Sequence, residues 1–118
     1  MGVTTLDVDV ANPARPNVTE RLVFTVDSGA VYSVVRAEIL RKLRIRQQKR
    51  ETFRLANGAT IVRWKGGALF KFREYVGFSD VIFGDKGDAT LLGALSLEAL
   101  GLALDPIKRE LKPMTLIL

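Results

Sequence analysis

The chain has 118 residues, 47% of them hydrophobic, enough for a single domain over residues 1–118 that buries about two-thirds of its unfolded surface. It contains no Cys and no His, which removes Ser-His and Cys-His nucleophile pairs, the usual zinc ligand sets and any disulfide framework; an enzyme built on it must use carboxylates, Lys or Tyr for acid–base work. The formal charge is +5, no apolar run approaches the roughly 18 residues needed to cross a bilayer, and Met1 to Asp7 shows no signal-peptide pattern, so a cytoplasmic protein with no membrane partner and no cofactor is expected.

Thr5 to Val10 alternates, with Leu6, Val8 and Val10 on one face and Asp7 and Asp9 on the other, and predicts a half-buried strand. Ala11 to Val18, with its Asn12-Pro13 and Arg15-Pro16-Asn17, reads as a loop. Glu20 to Val26 is a second strand ending at Asp27. The β-branched run is interrupted by Asp27-Ser28-Gly29-Ala30 and then resumes. Asp-Ser-Gly is an ordinary turn sequence, because Asp and Ser bond their own backbone and Gly takes positive φ. The apolar flanks, Leu22 to Val26 and Val34-Val35, predict that this turn is buried. A buried carboxylate is expensive unless something uses it.

Beyond the turn, Val34, Val35, Ile39, Leu40 and Leu43 recur at helical spacing opposite Arg36, Glu38, Arg41 and Lys42, which predicts a short amphipathic helix. Thr52 to Ala56 and Ala59 to Trp64 read as a hairpin tipped by Asn57-Gly58, with positive φ at both central residues. Gly66-Gly67 breaks the pattern before a strand over Ala68 to Arg73, and Tyr75 to Phe83 forms another. Gly84 to Asp88 reads as a hairpin connection; its likeness to a calcium loop is superficial, since the closing Glu is missing. Ala89 to Gly93 is a short strand, and Ala94 to Leu100 a helix with Gly101 at its C-cap position. Leu102 to Pro106 and Met114 to Leu118 read as closing strands.

The charge is unevenly placed. Arg36 to Arg54 carries eight basic residues against Glu38 and Glu51, a local excess of six, so the rest of the chain sums to minus one. The run reads as a solvated helix and edge strand. A footprint for nucleic acid or an acidic partner is the second reading, and no interleaved aromatic platform or RNA-binding motif accompanies the run, which argues against it.

In this order the pieces resemble the retropepsin-like aspartic proteases, in particular the short single-domain prokaryotic members. The apolar strand running into Asp27-Ser28-Gly29-Ala30 matches the family's Asp-Thr/Ser-Gly-Ala loop. A hairpin about thirty residues later, at Asn57-Gly58, stands where the family carries its flap. Leu91-Leu92-Gly93 and the helix after it match the apolar-apolar-Gly element beside the catalytic loop, and Gly101-Leu102 through Asp105-Pro106 resembles the closing strand. The resemblance implies an all-β, closed barrel-like acid-protease fold with one or two short helices, acting as an aspartic endopeptidase on extended peptides.

Aspartic proteases use two carboxylates that share one proton. One takes a proton from the attacking water while the other polarises the scissile carbonyl. This chain has a single Asp-Ser-Gly, so the resemblance implies a homodimer to which each chain contributes Asp27. It further implies that Ser28 bonds across the axis, that Gly29 lets the backbone approach the substrate and that Ala30 lines the pocket floor. The Asn57-Gly58 hairpin would close over the peptide, with Leu92 and Gly93 supporting the loop. Val3 to Val10 and Met114 to Leu118 become candidates for strands shared between protomers. The sequence departs from the viral members at Val31 and Tyr32, where they carry acids, and at Ala94-Leu95, where they carry a basic residue. An ion pair supporting the dimer and a polar contact to the substrate backbone are therefore not expected. The alternatives are a module of the same fold that binds peptide or dimerises without turnover, and a basic nucleic-acid module.

Overall fold

The structure, a computed structural model, describes residues 4–105 and 107–115. Among these the chain is mostly β, with two short helices. The strands are β1 (Thr5–Asn12), β2 (Arg15–Val26), β3 (Ser33–Arg36), β4 (Lys49–Arg54), β5 (Thr60–Phe72), β6 (Tyr75–Gly84), β7 (Leu91–Leu92), β8 (Leu102–Leu104) and β9 (Leu111–Pro113). The helices are α1 (Ala37–Lys42) and α2 (Ala94–Leu100). No helix among the described residues is long and apolar enough to cross a membrane.

Seven strands form one sheet in the order β1-β2-β7-β3-β6-β5-β4, and a further pairing of β1 with β5 closes six of them into a ring. β5 meets β4 at Thr60 to Lys65 and β1 at Leu69 to Lys71, so β4 hangs off the ring as an edge strand. The strand alternation sends Val8, Val10, Phe24, Val26, Phe70 and Val81 into the ring, where they are buried. Phe24 and Phe70 meet edge to face with centroids 6.1 Å apart, a favoured arrangement of aromatic quadrupoles. Asp9 on the outer face of β1 pairs with Arg21 directly opposite on β2, 2.9 Å away.

β7 sits between β2 and β3, parallel to the first and antiparallel to the second. The chain therefore leaves β2, turns through the Asp27 loop, and comes back much later to fill the slot. α2 follows β7 over the expected residues and ends at Gly101 with φ 75°, the left-handed C-cap that glycine adopts without steric cost.

Several expectations are corrected. Ala11 to Val18 is mostly strand, with a turn only at Pro13-Ala14; the side-chain oxygen of Asn12 accepts the Ala14 N–H and closes it. Val34 and Val35 belong to β3, and the helix begins only at Ala37. Gly66-Gly67 lies inside β5 and does not break it; a Cβ on Gly66 would stand 2.5 Å from the Arg46 carbonyl oxygen, so the glycine admits a crossing backbone. Gly84 to Asp88 is not a hairpin connection, because β3 lies between β6 and β7 in the sheet. Leu102–Leu104 forms a strand, paired with β9. Met114 and Thr115 follow β9 outside any strand, while Val3, Pro106 and residues 116–118 lie outside the described residues.

Candidate functional site

Asp27 stands one residue beyond β2. Its N–H donates to the Leu92 carbonyl at 3.0 Å, and its own carbonyl accepts the Ala30 N–H at 3.1 Å, closing a tight turn. One carboxylate oxygen, Oδ1, accepts the Gly29 N–H at 3.0 Å. That bond fixes the plane of the carboxylate and leaves Oδ2 as the face that can meet a water or a second acid. Asp27, Ser28 and Gly29 are all exposed in the single chain and Ala30 is half-buried, which corrects the expectation of a buried turn. Strand alternation explains it. Phe24 and Val26 point inward, Val23 points outward at 62% exposure, and Val31 just past the turn is 55% exposed. The loop thus forms an apolar-rimmed, water-facing end of the molecule.

The loop rests on Leu91-Leu92-Gly93. The Ala94 N–H donates to the Ala30 carbonyl at 2.7 Å and the Leu95 N–H to the Val31 carbonyl at 3.1 Å. Gly93 is required by space. A Cβ there would lie 2.6 Å from the carbonyl carbon and oxygen of Tyr32 and 2.9 Å from the Val31 oxygen.

Beneath this contact runs a buried chain of hydroxyls that sequence reasoning missed. The Gly93 N–H donates to Ser33 Oγ at 2.9 Å; Ser33 Oγ lies 2.5 Å from Ser96 Oγ, and Ser96 Oγ lies 2.7 Å from Ser79 Oγ. Ser79 in turn donates to the Asp80 carbonyl at 3.4 Å. One proton order satisfies every group: Ser33 donates to Ser96, Ser96 to Ser79. Ser33 and Ser96 are fully buried, and their signal in sequence was a small hydroxyl inside an apolar strand and an apolar helix face. Ser96→Ala is expected to leave the Ser33 and Ser79 hydroxyls short of a partner and to cost about 1–3 kcal/mol in urea unfolding.

The hairpin's stalk reaches the loop through side chains. Tyr32 meets Phe53 of β4 edge to face at 5.5 Å, and Lys65 Nζ lies 5.4 Å over the Tyr32 ring. Burial lowers the Lys65 pKa, but its hydrogen bond to Glu51 and the charges of Asp80 and Glu51 outweigh that and hold it above its ordinary value. On the same face Arg63 grips Asp88 with two nitrogens, at 2.8 and 3.2 Å, and also reaches Asp85. This guanidinium, by its hydrogen bond first, holds the Asp88 carboxyl below its usual value of 3.8. The stability gained is complete above that unfolded value and is lost as pH falls below it towards the lower folded one. Asp88→Asn is expected to flatten the acid limb of a melting-temperature profile in that window.

The tip behaves differently from the expectation for Asn-Gly. Gly58 takes φ 86°, but Asn57 does not take positive φ; its Oδ1 instead accepts the Ala59 N–H at 2.9 Å. The loop spans Leu55 to Ala59, with the Gly58 N–H on the Leu55 carbonyl at 3.0 Å. These bonds are internal to the hairpin. The structure thus brings Asp27, Ser28, Gly29, Ala30, Leu92 and Gly93 into one unit, while Asn57 and Gly58 ride on a stalk joined to it by Tyr32 and Phe53.

Five of the other aspartates are committed elsewhere, while Asp7, exposed on β1, has no partner among the described residues. Asp9 pairs with Arg21, Asp80 with Lys65, Asp85 and Asp88 with Arg63, and Asp105 accepts the N–H groups of Ile107 and Lys108. Among the described residues no group of three or more acidic side chains is placed to hold a metal. No protein-family model, curated protein or solved structure matches the chain.

Proposed function

We propose that the chain is an aspartic endopeptidase of retropepsin-like fold, active as a homodimer in which the Asp27 carboxylates of two copies share a proton and activate a water against an extended peptide. The observation that carries this reading is the Asp27 turn itself: an exposed carboxylate with one oxygen fixed by the Gly29 N–H, on a backbone locked to Leu92 and Ala94. A functional acid needs a preset orientation and access to its reactant, and this turn has both. Commitment of Asp9, Asp80, Asp85, Asp88 and Asp105 to partners of their own supports drawing the second carboxylate from another copy. A ring of strands with β7 inserted beside the loop and a hairpin stalk meeting it through Tyr32 and Phe53 agrees with that family's plan. Ser28 would then bond across the axis, Gly29 and Ala30 line the cleft, and the Asn57-Gly58 hairpin shield it from water.

The test is stoichiometry. A statine-type peptide titrated at acidic pH is expected to bind one molecule per two chains, and sedimentation is expected to give twice the chain mass as protein concentration rises. One inhibitor per chain, or a monomer at every concentration, removes the shared dyad.

A further inference from the structure

The β4–β5 ladder supplies what the basic stretch lacks in sequence. Arg50 lies directly opposite Trp64, Thr52 opposite Val62 and Arg54 opposite Thr60, so these six side chains share one face of the hairpin. Glu51, Phe53, Ile61, Arg63 and Lys65 form the other, half-buried face, which carries the Tyr32 contact and the ion pairs. On the first face Trp64 is 37% and Val62 47% exposed. The Arg46 main chain crosses the same face at Gly66, two residues along β5 from Trp64. Of the basic residues from Arg36 to Arg54, Arg36, Lys42 and Lys49 have carboxylate partners. Arg41, Arg44, Arg46, Arg50 and Arg54 are exposed and have none among the described residues. These five guanidiniums equal the entire net charge of +5.

Charged residues on an edge strand also discourage strand-to-strand aggregation, and β4 is such an edge. That role needs charge alone and has no use for a water-facing indole set opposite Arg50. We propose that this face binds single-stranded nucleic acid, with Trp64 as a stacking platform for a base and the arginines along β4 and the segment before it holding phosphates. Arginine forks match phosphate oxygens in pairs. Arg50 and Arg54 stand about 13 Å apart at 3.3 Å per residue, so Arg50 holds the phosphate beside a base seated on Trp64 opposite it, and Arg54, opposite Thr60, one further along the strand. An acidic protein segment would satisfy the guanidiniums but leave the indole unmatched, and a duplex would keep its bases stacked away from it.

Trp64 is the sole tryptophan, so its fluorescence reports on this face directly. Titration of the full chain with a single-stranded oligonucleotide at low salt is expected to quench that fluorescence, with affinity falling as salt rises. The paired change Arg50→Gln and Arg54→Gln, on exposed side chains, is expected to lower the slope of log affinity against log salt by about 1.4, as two lost phosphate contacts on a single strand require. Trp64→Ala, followed by the label on the oligonucleotide, is expected to weaken binding about 10- to 100-fold. Asp27→Asn chain is expected to bind as the unchanged protein does, which separates this site from the proposed dyad. Absence of binding at low salt, binding indifferent to the arginine pair, or equal affinity for a duplex or for polyglutamate would overturn the proposal.

Discussion

Asp27→Asn is expected to lower kcat/KM for peptide cleavage at acidic pH by about 10³-fold or more, the upper part of what one acid–base group supplies, and to leave the fold intact. The asparagine retains a side-chain oxygen to accept the Gly29 N–H that Oδ1 now accepts, so the turn keeps its anchor. The side chain is exposed, and substitutions at such positions stay within about 0.5 kcal/mol of the parent. What is lost is the ionisable carboxylate, since an amide neither takes up nor releases a proton in this range. Unchanged urea midpoints beside collapsed turnover assign the chemistry to this carboxylate. Turnover that survives moves the reaction to another group, and among the remaining described aspartates Asp7, exposed on β1, is the one without a partner.

Gly93→Ala is expected to damage stability and cleavage together. The backbone at Gly93 is extended, φ −92° and ψ 179°, which alanine adopts freely, so the effect is one of space. The added methyl would stand 2.6 Å from the Tyr32 carbonyl group, closer than any relaxed contact, and must push the Val31-Tyr32 backbone off β7. Overpacking of this kind costs about 1–3 kcal/mol. Because Tyr32 leads back through Val31 to the Asp27 turn, a shift on the order of 1 Å there is expected to cost about 10²-fold in turnover. Gly87→Ala, where a Cβ meets nothing within 4 Å, is the matched control and is expected to change neither. Equal behaviour of the two variants would show that the loop does not depend on its seat.

Local pattern carried much of the fold. The alternation of Leu6, Val8 and Val10 places β1, and Ala94 to Leu100 with Gly101 marks α2 within its observed bounds. Failures arose where a distant strand decides. Val34 and Val35 share an apolar run with Ile39 and Leu40, but pairing with Ile82 and Phe83 of β6 holds them extended. Gly66-Gly67 looks like a break until the Arg46 backbone is seen crossing there. Gly84 to Asp88 looks like a hairpin because nothing nearby announces that β3 will take the intervening place. In the site, the Asp27 turn and its Leu92-Gly93 seat were legible from their motifs. The Ser33-Ser96-Ser79 chain was not, since each serine is ordinary alone and only the fold makes them neighbours. The exposure of Asp27 was missed because apolar flanks were read as uniformly buried, whereas a strand presents every second residue to water.

The late return of β7 sets the order in which the molecule can be finished. Ser33 and Gly93 bond across 60 residues of chain, and β2 and β3 have no direct pairing to hold them until that segment arrives. Contacts of such separation form late and slowly, because closing the loop must precede any gain from it. A ribosome-bound chain that ends before Leu91 therefore carries the Asp27 turn without its seat.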